Sequence, residues 1–284
     1  MCEFCAKHGE GEKWYLRAKN YSEDMLSDIR RQKFIAHFAD EGLIAREVAD
    51  GFRELDRIGK LPWFIRYILV RLFTRRMKRI HFGQVVPIEE IERIFEFVTS
   101  VVRLSCICRK TTLGVERRYC YAISMGPKGG RLLNIFRGLD DGYSDALEDE
   151  RFECLTTEEA LAAMRSHEAE GLCHTIWTFH TPFIGAICNC DRSDCLALHA
   201  TVTRGAPILF RAEYVAVVDD GVCNGCRRCM EVCQFGAISF SAVKGKSFVD
   251  QIWCYGCGVC RSACAVNAIR LVERAESPVA ADLW

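Results

Sequence analysis

The sequence predicts an α+β protein: a mainly helical N-terminal domain with a cysteine-rich module, plus a C-terminal unit of short hairpins and two short helices. Three observations lead there. Apolar residues recur at three- and four-residue steps through much of residues 22–102, the period of amphipathic helices. Cysteine is abundant, 18 residues of 284, and falls in CxC and CxxC runs. The chain also ends in an internal repeat over residues 212–274. We therefore divide it into a helical region at 1–104, a cysteine module at 105–211, the repeat unit at 212–274 and a tail at 275–284.

The entry, residues 1–20, is polar and holds Cys2 and Cys5 with His8 close by. One CxxC by itself leaves three readings: ligands that complete a site with partners elsewhere, a cap on an interface, or a mobile terminus. From Ser22 to about Arg57 the pattern is helical through Met25, Ile29, Phe34, Ile35 and Phe38, with Gly42 and Gly51 as expected breaks. Pro62 suits the first turn of another helix, running to Ile80. Its span and flank carry Arg57, Lys60, Arg66, Arg71, Arg75, Arg76, Lys78 and Arg79, and no acid stands between 57 and 88. Such a basic amphipathic helix suits an acidic partner protein or peripheral contact with an anionic membrane. It equally suits a core helix whose arginines reach water or the acidic 140–150 stretch.

Pro87 opens a further predicted helix, with Ile88, Ile91, Phe95, Val98 and Val102 on one side, delivering the chain into Cys106. Residues 126–155 read as an acidic loop through Asp140, Asp141, Asp145, Glu148, Asp149 and Glu150. Thr156 with Glu159 is a capping-box pattern, and Gly171 marks the expected end of that helix.

Composition narrows the function classes. Net charge is +0, which exerts no whole-chain pull toward nucleic acid, and no recognition motif accompanies the basic helix. No nucleic-acid partner is expected. No apolar leader is visible at the start, and the most apolar stretch, Leu61–Phe73, is interrupted by Arg66 and Arg71. A reducing cytoplasm in an oxygen-avoiding cell fits the thiol content. GPKGGR at 126–131 lacks dinucleotide-fingerprint spacing, and no nucleophile arrangement stands out, so no catalytic residue is assigned.

The repeat carries the chemistry. VDDGVCNGCRRCMEVCQFGAISF is followed by VDQIWCYGCGVCRSACAVNAIRL, and each half contains C-x2-C-x2-C-x3-C. Three thiolates spaced by two residues wrap one iron–sulfur cube, while the fourth, past the turn, reaches the other cube. That logic gives one [4Fe–4S] cluster to Cys223, Cys226, Cys229 and Cys264, and a second to Cys254, Cys257, Cys260 and Cys233. Gly225, Gly256 and Gly258 let backbone N–H groups approach the sulfurs. Paired zinc knuckles are the alternative, although zinc sites rarely double this four-cysteine run. Trp253 and Tyr255 read as packing or as a shield over the second cluster.

On these residues the C-terminal unit resembles the bacterial dicluster ferredoxin family. It departs from that family in carrying Gln234 and Ala265 where proline usually follows the fourth cysteine. Upstream lie Cys106-Ile-Cys108-Arg109, then Cys120, then Cys188-Asn-Cys190 with Cys195. Residues 85–272 are similar to anaerobe iron–sulfur proteins in which a CxCR/CNC module precedes a ferredoxin unit, and the resemblance implies redox work. Two CxC pairs supply four thiolates, so Cys106, Cys108, Cys188 and Cys190 are the first choice for a third cluster. Cys120 and Cys195 are substitutes, or ligands of a further cluster. Zinc and plain buried thiols are the alternatives. Cys154 and Cys173 read as structural. His174 and His180, flanking Trp177, read as core residues or as a ligand or proton relay. Arg109 stands where it would offset thiolate charge.

The leading expectation is a non-catalytic electron-transfer subunit serving a redox partner or a larger anaerobic oxidoreductase. Two other readings stay open: an oxidoreductase with a metal centre in the CxCR/CNC module, and an iron–sulfur redox sensor.

Overall fold

The computed structural model describes residues 2–138 and 152–283; the acidic residues 140–150 of the predicted loop 126–155 fall outside them, and the described parts of that stretch form a helix at Gly130–Arg137 and a strand at Phe152–Leu155 instead of loop. In chain order the elements are α1 (Glu3–His8), α2 (Ile29–Ala39), α3 (Glu41–Gly59), α4 (Trp63–Ile80), β1 (Gly83–Val85), α5 (Ile88–Phe95), β2 (Ser100–Leu104), α6 (Ile107–Leu113), β3 (Cys120–Ser124) and α7 (Gly130–Arg137). Then follow β4 (Phe152–Leu155), α8 (Thr157–Ala169), β5 (Cys173–Thr178), β6 (Ile184–Cys190), α9 (Leu196–Thr203) and β7 (Leu209–Phe210). The C-terminal unit adds β8 (Tyr214–Val218), α10 (Arg228–Glu231), β9 (Ile238–Ser241), β10 (Lys246–Val249), α11 (Val259–Ser262) and β11 (Ile269–Glu273).

A seven-stranded sheet organises the first two thirds, in the order β4-β2-β3-β6-β5-β1-β7. Only β1 with β7 is parallel. Both faces are covered, and alternation along the strands divides them. Val101, Tyr121, Ile123, Ile176 and Ile187 face α5 and α8, together with Trp14, Tyr15 and Tyr21 from the entry. Val102, Ala122, Trp177, Ala186 and Cys190 face α2, α7 and α9. The entry is therefore core and not a loose terminus. Trp14 and Tyr15 are fully buried, and Phe4 stacks on Phe82 at 4.5 Å.

Several sequence expectations need correction. The helix from Pro87 stops at Phe95, and Val102 lies in β2. The β-branched pair Val101–Val102 buries one side chain on each face of the sheet, which a helix would not do. The break between α2 and α3 comes at Asp40, whose side chain accepts from the Leu43 N–H at 3.0 Å, and not at Gly42. Gly51 lies inside α3. Pro62 is the residue before α4, not within its first turn. The capping box at Thr156 and Glu159 forms as expected, and Gly171 follows α8 in the left-handed region. Beyond the sheet, β8 pairs with β11 and β9 with β10, both antiparallel.

His174 lies in β5, fully buried, with Nδ1 2.7 Å from Asn189 Oδ1 on the facing strand. Burial lowers its pKa to about 4, and the Asn189 contact only partly opposes this. The unfolded chain takes up this proton near the ordinary value of 6.5, so the stability from a neutral buried ring is complete above 6.5 and lost as pH falls toward 4. Urea denaturation at pH 7 and 4.5 should show His174→Gln losing about 2–3 kcal/mol less on acidification than the parent.

Candidate functional site

The two halves of the C-terminal repeat fold alike. Left-handed backbone recurs at matched positions: Gly225 with Gly256, Arg227 with Gly258, and Gly236 with Asn267. At Gly225 and Gly256 glycine is required for space as well. A Cβ would run into the carbonyl oxygen of Gly245 in the first half and of Tyr214 in the second. Each tight loop is followed by a one-turn helix, α10 or α11. The fourth cysteine comes next, and its sulfur accepts a backbone N–H from four residues on: Ala237 to Cys233 at 3.3 Å, Ala268 to Cys264 at 3.2 Å.

This folding exchanges the fourth thiols. Cys223, Cys226 and Cys229 line one cavity together with Cys264. Cys254, Cys257 and Cys260 line another together with Cys233. The walls differ. Cys226 is exposed, whereas Cys254, Cys257 and Cys260 are all buried. Phe235 and Tyr255 line the second cavity and stack at 4.1 Å with their planes 4° apart. Trp253, by contrast, is 60 % exposed and does not line the second cavity. Arg274 is fully buried beside the second cavity, donating to the carbonyls of Ala212, Tyr214 and Cys254 at 2.7–2.8 Å. Burial lowers its pKa to about 10, which leaves it charged near neutrality.

The upstream cysteines also converge. Cys120 and Cys188 are directly opposed on β3 and β6, with sulfurs 3.2 Å apart. Cys190 lies two residues further along the same face of β6, its sulfur 3.1 Å from that of Cys195 ahead of α9. Cys106 and Cys108, at the start of α6, complete the group, Cys106 beside Cys120 and Cys108 beside Cys195. All six line one cavity of about 140 Å³, walled elsewhere by Phe136, Phe152, Trp177 and Phe179. Hydrogen bonds from Cys108 and then Cys120 hold the Cys106 thiol well below its ordinary pKa, against the effect of burial. Arg109 supports this. It is 3 % exposed, lies 3.5 Å from Cys106 Sγ, pairs with Asp191 and covers the Tyr119 ring.

Other sequence candidates are placed less centrally. His174 and His180 do not line this cavity, whereas His81 does, its ring tilted against that of Trp177 with centroids 4.7 Å apart. Nothing in the sequence separated His81 from other histidines. Cys154 is exposed on β4. Cys173 is buried opposite Cys190; burial pushes its thiol pKa well up, and the nearby Cys257 and Asp191 add to the rise. Gln234, the departure from proline, joins the two regions. Its amide donates to the Gly171 carbonyl at 2.7 Å and accepts from the Arg192 N–H at 2.7 Å. Proline offers no side-chain hydrogen bond there.

The thiol sets fit polynuclear clusters better than single ions. Among the described residues, no three of these fourteen thiols lie within 4.8 Å of one another, the mutual reach a single metal ion requires. Each set is nevertheless grouped around one apolar-walled cavity. Soft thiolates at such spacing suit iron–sulfur cubes. Gly256→Ala should therefore lower iron bound per chain by about four atoms. Gly258→Ala, whose Cβ meets nothing nearer than 3.5 Å, should lose less, as read by anaerobic iron quantitation.

Residues 222–269 match the 4Fe-4S dicluster domain family. No curated protein matches the chain. The matched stretch includes all eight cysteines of the repeat, so the C-terminal unit is an iron–sulfur dicluster domain, and its presence points to a role in electron transfer.

Proposed function

We propose that the chain relays single electrons through two [4Fe–4S] clusters and a third iron–sulfur cluster, as an electron-transfer subunit of a larger anaerobic oxidoreductase system in the cytoplasm. The exchanged lining of the two C-terminal cavities is the observation that carries this reading. Cys223, Cys226, Cys229 and Cys264 would hold one cluster, and Cys254, Cys257, Cys260 and Cys233 the other. Cys106, Cys108, Cys188 and Cys190 would hold the third, with Cys120 and Cys195 as the remaining thiols of that cavity. Such clusters, when bound, take up and release one electron without breaking bonds in the protein. The chain supplies the setting. Backbone N–H groups aim at the sulfurs of Cys233, Cys254 and Cys264, Tyr255 and Phe235 keep water from the second cavity, and Arg109 and Arg274 balance negative charge. Cys173 stands opposite Cys190 of the six-thiol cavity and within electrostatic reach of Cys257 in the dicluster unit, so it links the two regions.

A catalytic metal centre in the six-thiol cavity is the second reading. The observation that favours it is six thiols and His81 around about 140 Å³ of apolar space, two thiols more than one cube uses. Iron and sulfide quantitation with EPR separates these. The parent should bind about 12 iron atoms, and the Cys106→Ser, Cys188→Ser variant about 8. About 8 in both would remove the third cluster and, with it, the longer relay.

Partner docking is assigned to α4. No residue of this helix is buried, and Trp63, Phe64, Tyr67, Ile68 and Leu72 are each more than half exposed among its arginines. None of the described helices is long and apolar enough to cross a membrane, but a basic amphipathic face suits the surface of an anionic one. Sedimentation with anionic lipid vesicles should retain the chain. Arg71→Gln with Arg75→Gln should weaken retention about 30-fold, at about 1 kcal/mol per charge. No retention of the parent would assign α4 to an acidic protein partner instead.

A further inference from the structure

The entry CxxC, which the electron relay leaves unused, meets a carboxylate from the far end of the sequence. Cys2 Sγ lies 3.0 Å from Cys5 Sγ, and the Cys5 thiol donates to Glu213 Oε1 at 2.9 Å. Cys2, Cys5 and Glu213 are 2 %, 1 % and 6 % exposed. Among the described residues this is the group of possible metal ligands whose atoms all lie within 4.8 Å of one another. We propose that Cys2, Cys5 and Glu213 form a mononuclear zinc site with one coordination position open to the adjoining cavity.

Three observations support the site independently. The first is the donor geometry. Thiolates bound at about 2.3 Å to a tetrahedral ion stand roughly 3.8 Å apart, so the two sulfurs need to open only slightly. Their present separation is far outside the length of a disulfide bond. The second is charge. Glu213 is buried, and among the described residues its side chain bonds the Cys5 thiol and no Lys, Arg or His lies within ion-pair distance, the buried Arg274 guanidinium acting on it only over a longer range. Nearby Lys13 is committed to Glu90 and Glu273. A buried carboxylate without a directly paired cation is costly, and coordination to a metal is one of the ways proteins offset that cost. The third is access. Cys5 and Glu213 both form part of the wall of an open cavity of about 430 Å³, which Lys13, Arg93, Glu12 and Glu273 also line.

Donor chemistry selects the ion. Two thiolates with one carboxylate suit Zn²⁺ over the hard cations, which prefer oxygen. Binding releases the two thiol protons and leaves the centre with a net charge of minus one. Three protein ligands and a fourth position for water are the arrangement of catalytic zinc, whereas closed four-ligand sites are structural. The loop that borders the cavity is held to α1 by the Gly9 N–H, which donates to the Cys5 carbonyl at 3.0 Å. At Gly9 a Cβ would strike the carbonyls of Cys5 and Glu12, so this return of the chain depends on glycine. The cavity, with both signs of charge at its rim, would admit a small polar molecule as the exchangeable ligand.

The site does not depend on the iron–sulfur reading, and its test keeps the two apart. Metal analysis of the full-length protein, prepared anaerobically with zinc supplied, should find about one zinc per chain beside the iron. Cys2→Ser with Cys5→Ser, and separately Glu213→Gln, should lose the zinc and keep the parent's iron and sulfide, which shows that the chain still folds. Cobalt in place of zinc should give a thiolate-to-metal charge-transfer band that added azide perturbs. Absence of zinc from the parent, equal zinc in the variants, or a Cys2–Cys5 disulfide in the anaerobic protein would overturn the site. A cobalt spectrum indifferent to azide would overturn the open position.

Discussion

The register of β3 against β6, which sets Cys120 opposite Cys188, fixes the strand-borne half of the six-thiol cavity. In an antiparallel pair the side chains alternate faces, so one register brings Cys120 opposite Cys188 and keeps Cys190 on the same side. A slip of one residue would send both β6 cysteines to the face occupied by Ile176 and Ile187, against α5 and α8. The register is held by what lies on that other face. Tyr121 stands opposite Ile187, and Ile187 opposite Ile176, so the hydrophobic core enforces the alignment that the sulfurs need. The aromatic entry segment completes the same core, which ties residues 2–21 to the sheet.

Legibility from the sequence followed the range of the constraint. The doubled C-x2-C-x2-C-x3-C run is local, because each loop, its left-handed positions and its short helix are specified within about ten residues. Helices with strong caps, such as the one opened by Thr156, were legible for the same reason. The strands β1 and β2 were hidden because they are short, three and five residues, and are defined by neighbours far along the chain. Val102 satisfied a helical spacing from Val98 while the packing of both sheet faces decided otherwise. Glu213 was invisible as a partner of Cys5, since 208 residues separate them and a single glutamate carries no signal. The convergence of six upstream thiols was foreseen only in part, with Cys120 and Cys195 as substitutes. The structure places all six around one cavity.

Burying so many thiols in apolar surroundings raises a problem of charge, and the chain meets it with arginines placed singly. Arg109 sits on the Cys106 side of the six-thiol cavity, anchored by Asp191 and Tyr119 so that it cannot swing to water. Arg274 is fixed by three carbonyls. Guanidinium suits this role because it stays charged when buried and its planar fork satisfies several acceptors at once. Gln234 serves a different end. Its two hydrogen bonds hold the dicluster unit against the loop after Cys190 and the turn at Gly171, so the thiol-bearing regions form a continuous body.

Arg274 also breaks the symmetry that the repeat suggests. The position that matches it in the first half is Val243, which is almost wholly exposed. One cavity therefore has a thiol, Cys226, open to water and no buried cation at the matching place, while the other is enclosed and faces a permanent positive charge. Equal sets of thiols in unequal surroundings do not accept negative charge equally. In the proposed relay, two copies of one motif set in unequal surroundings give the passing electron a preferred direction.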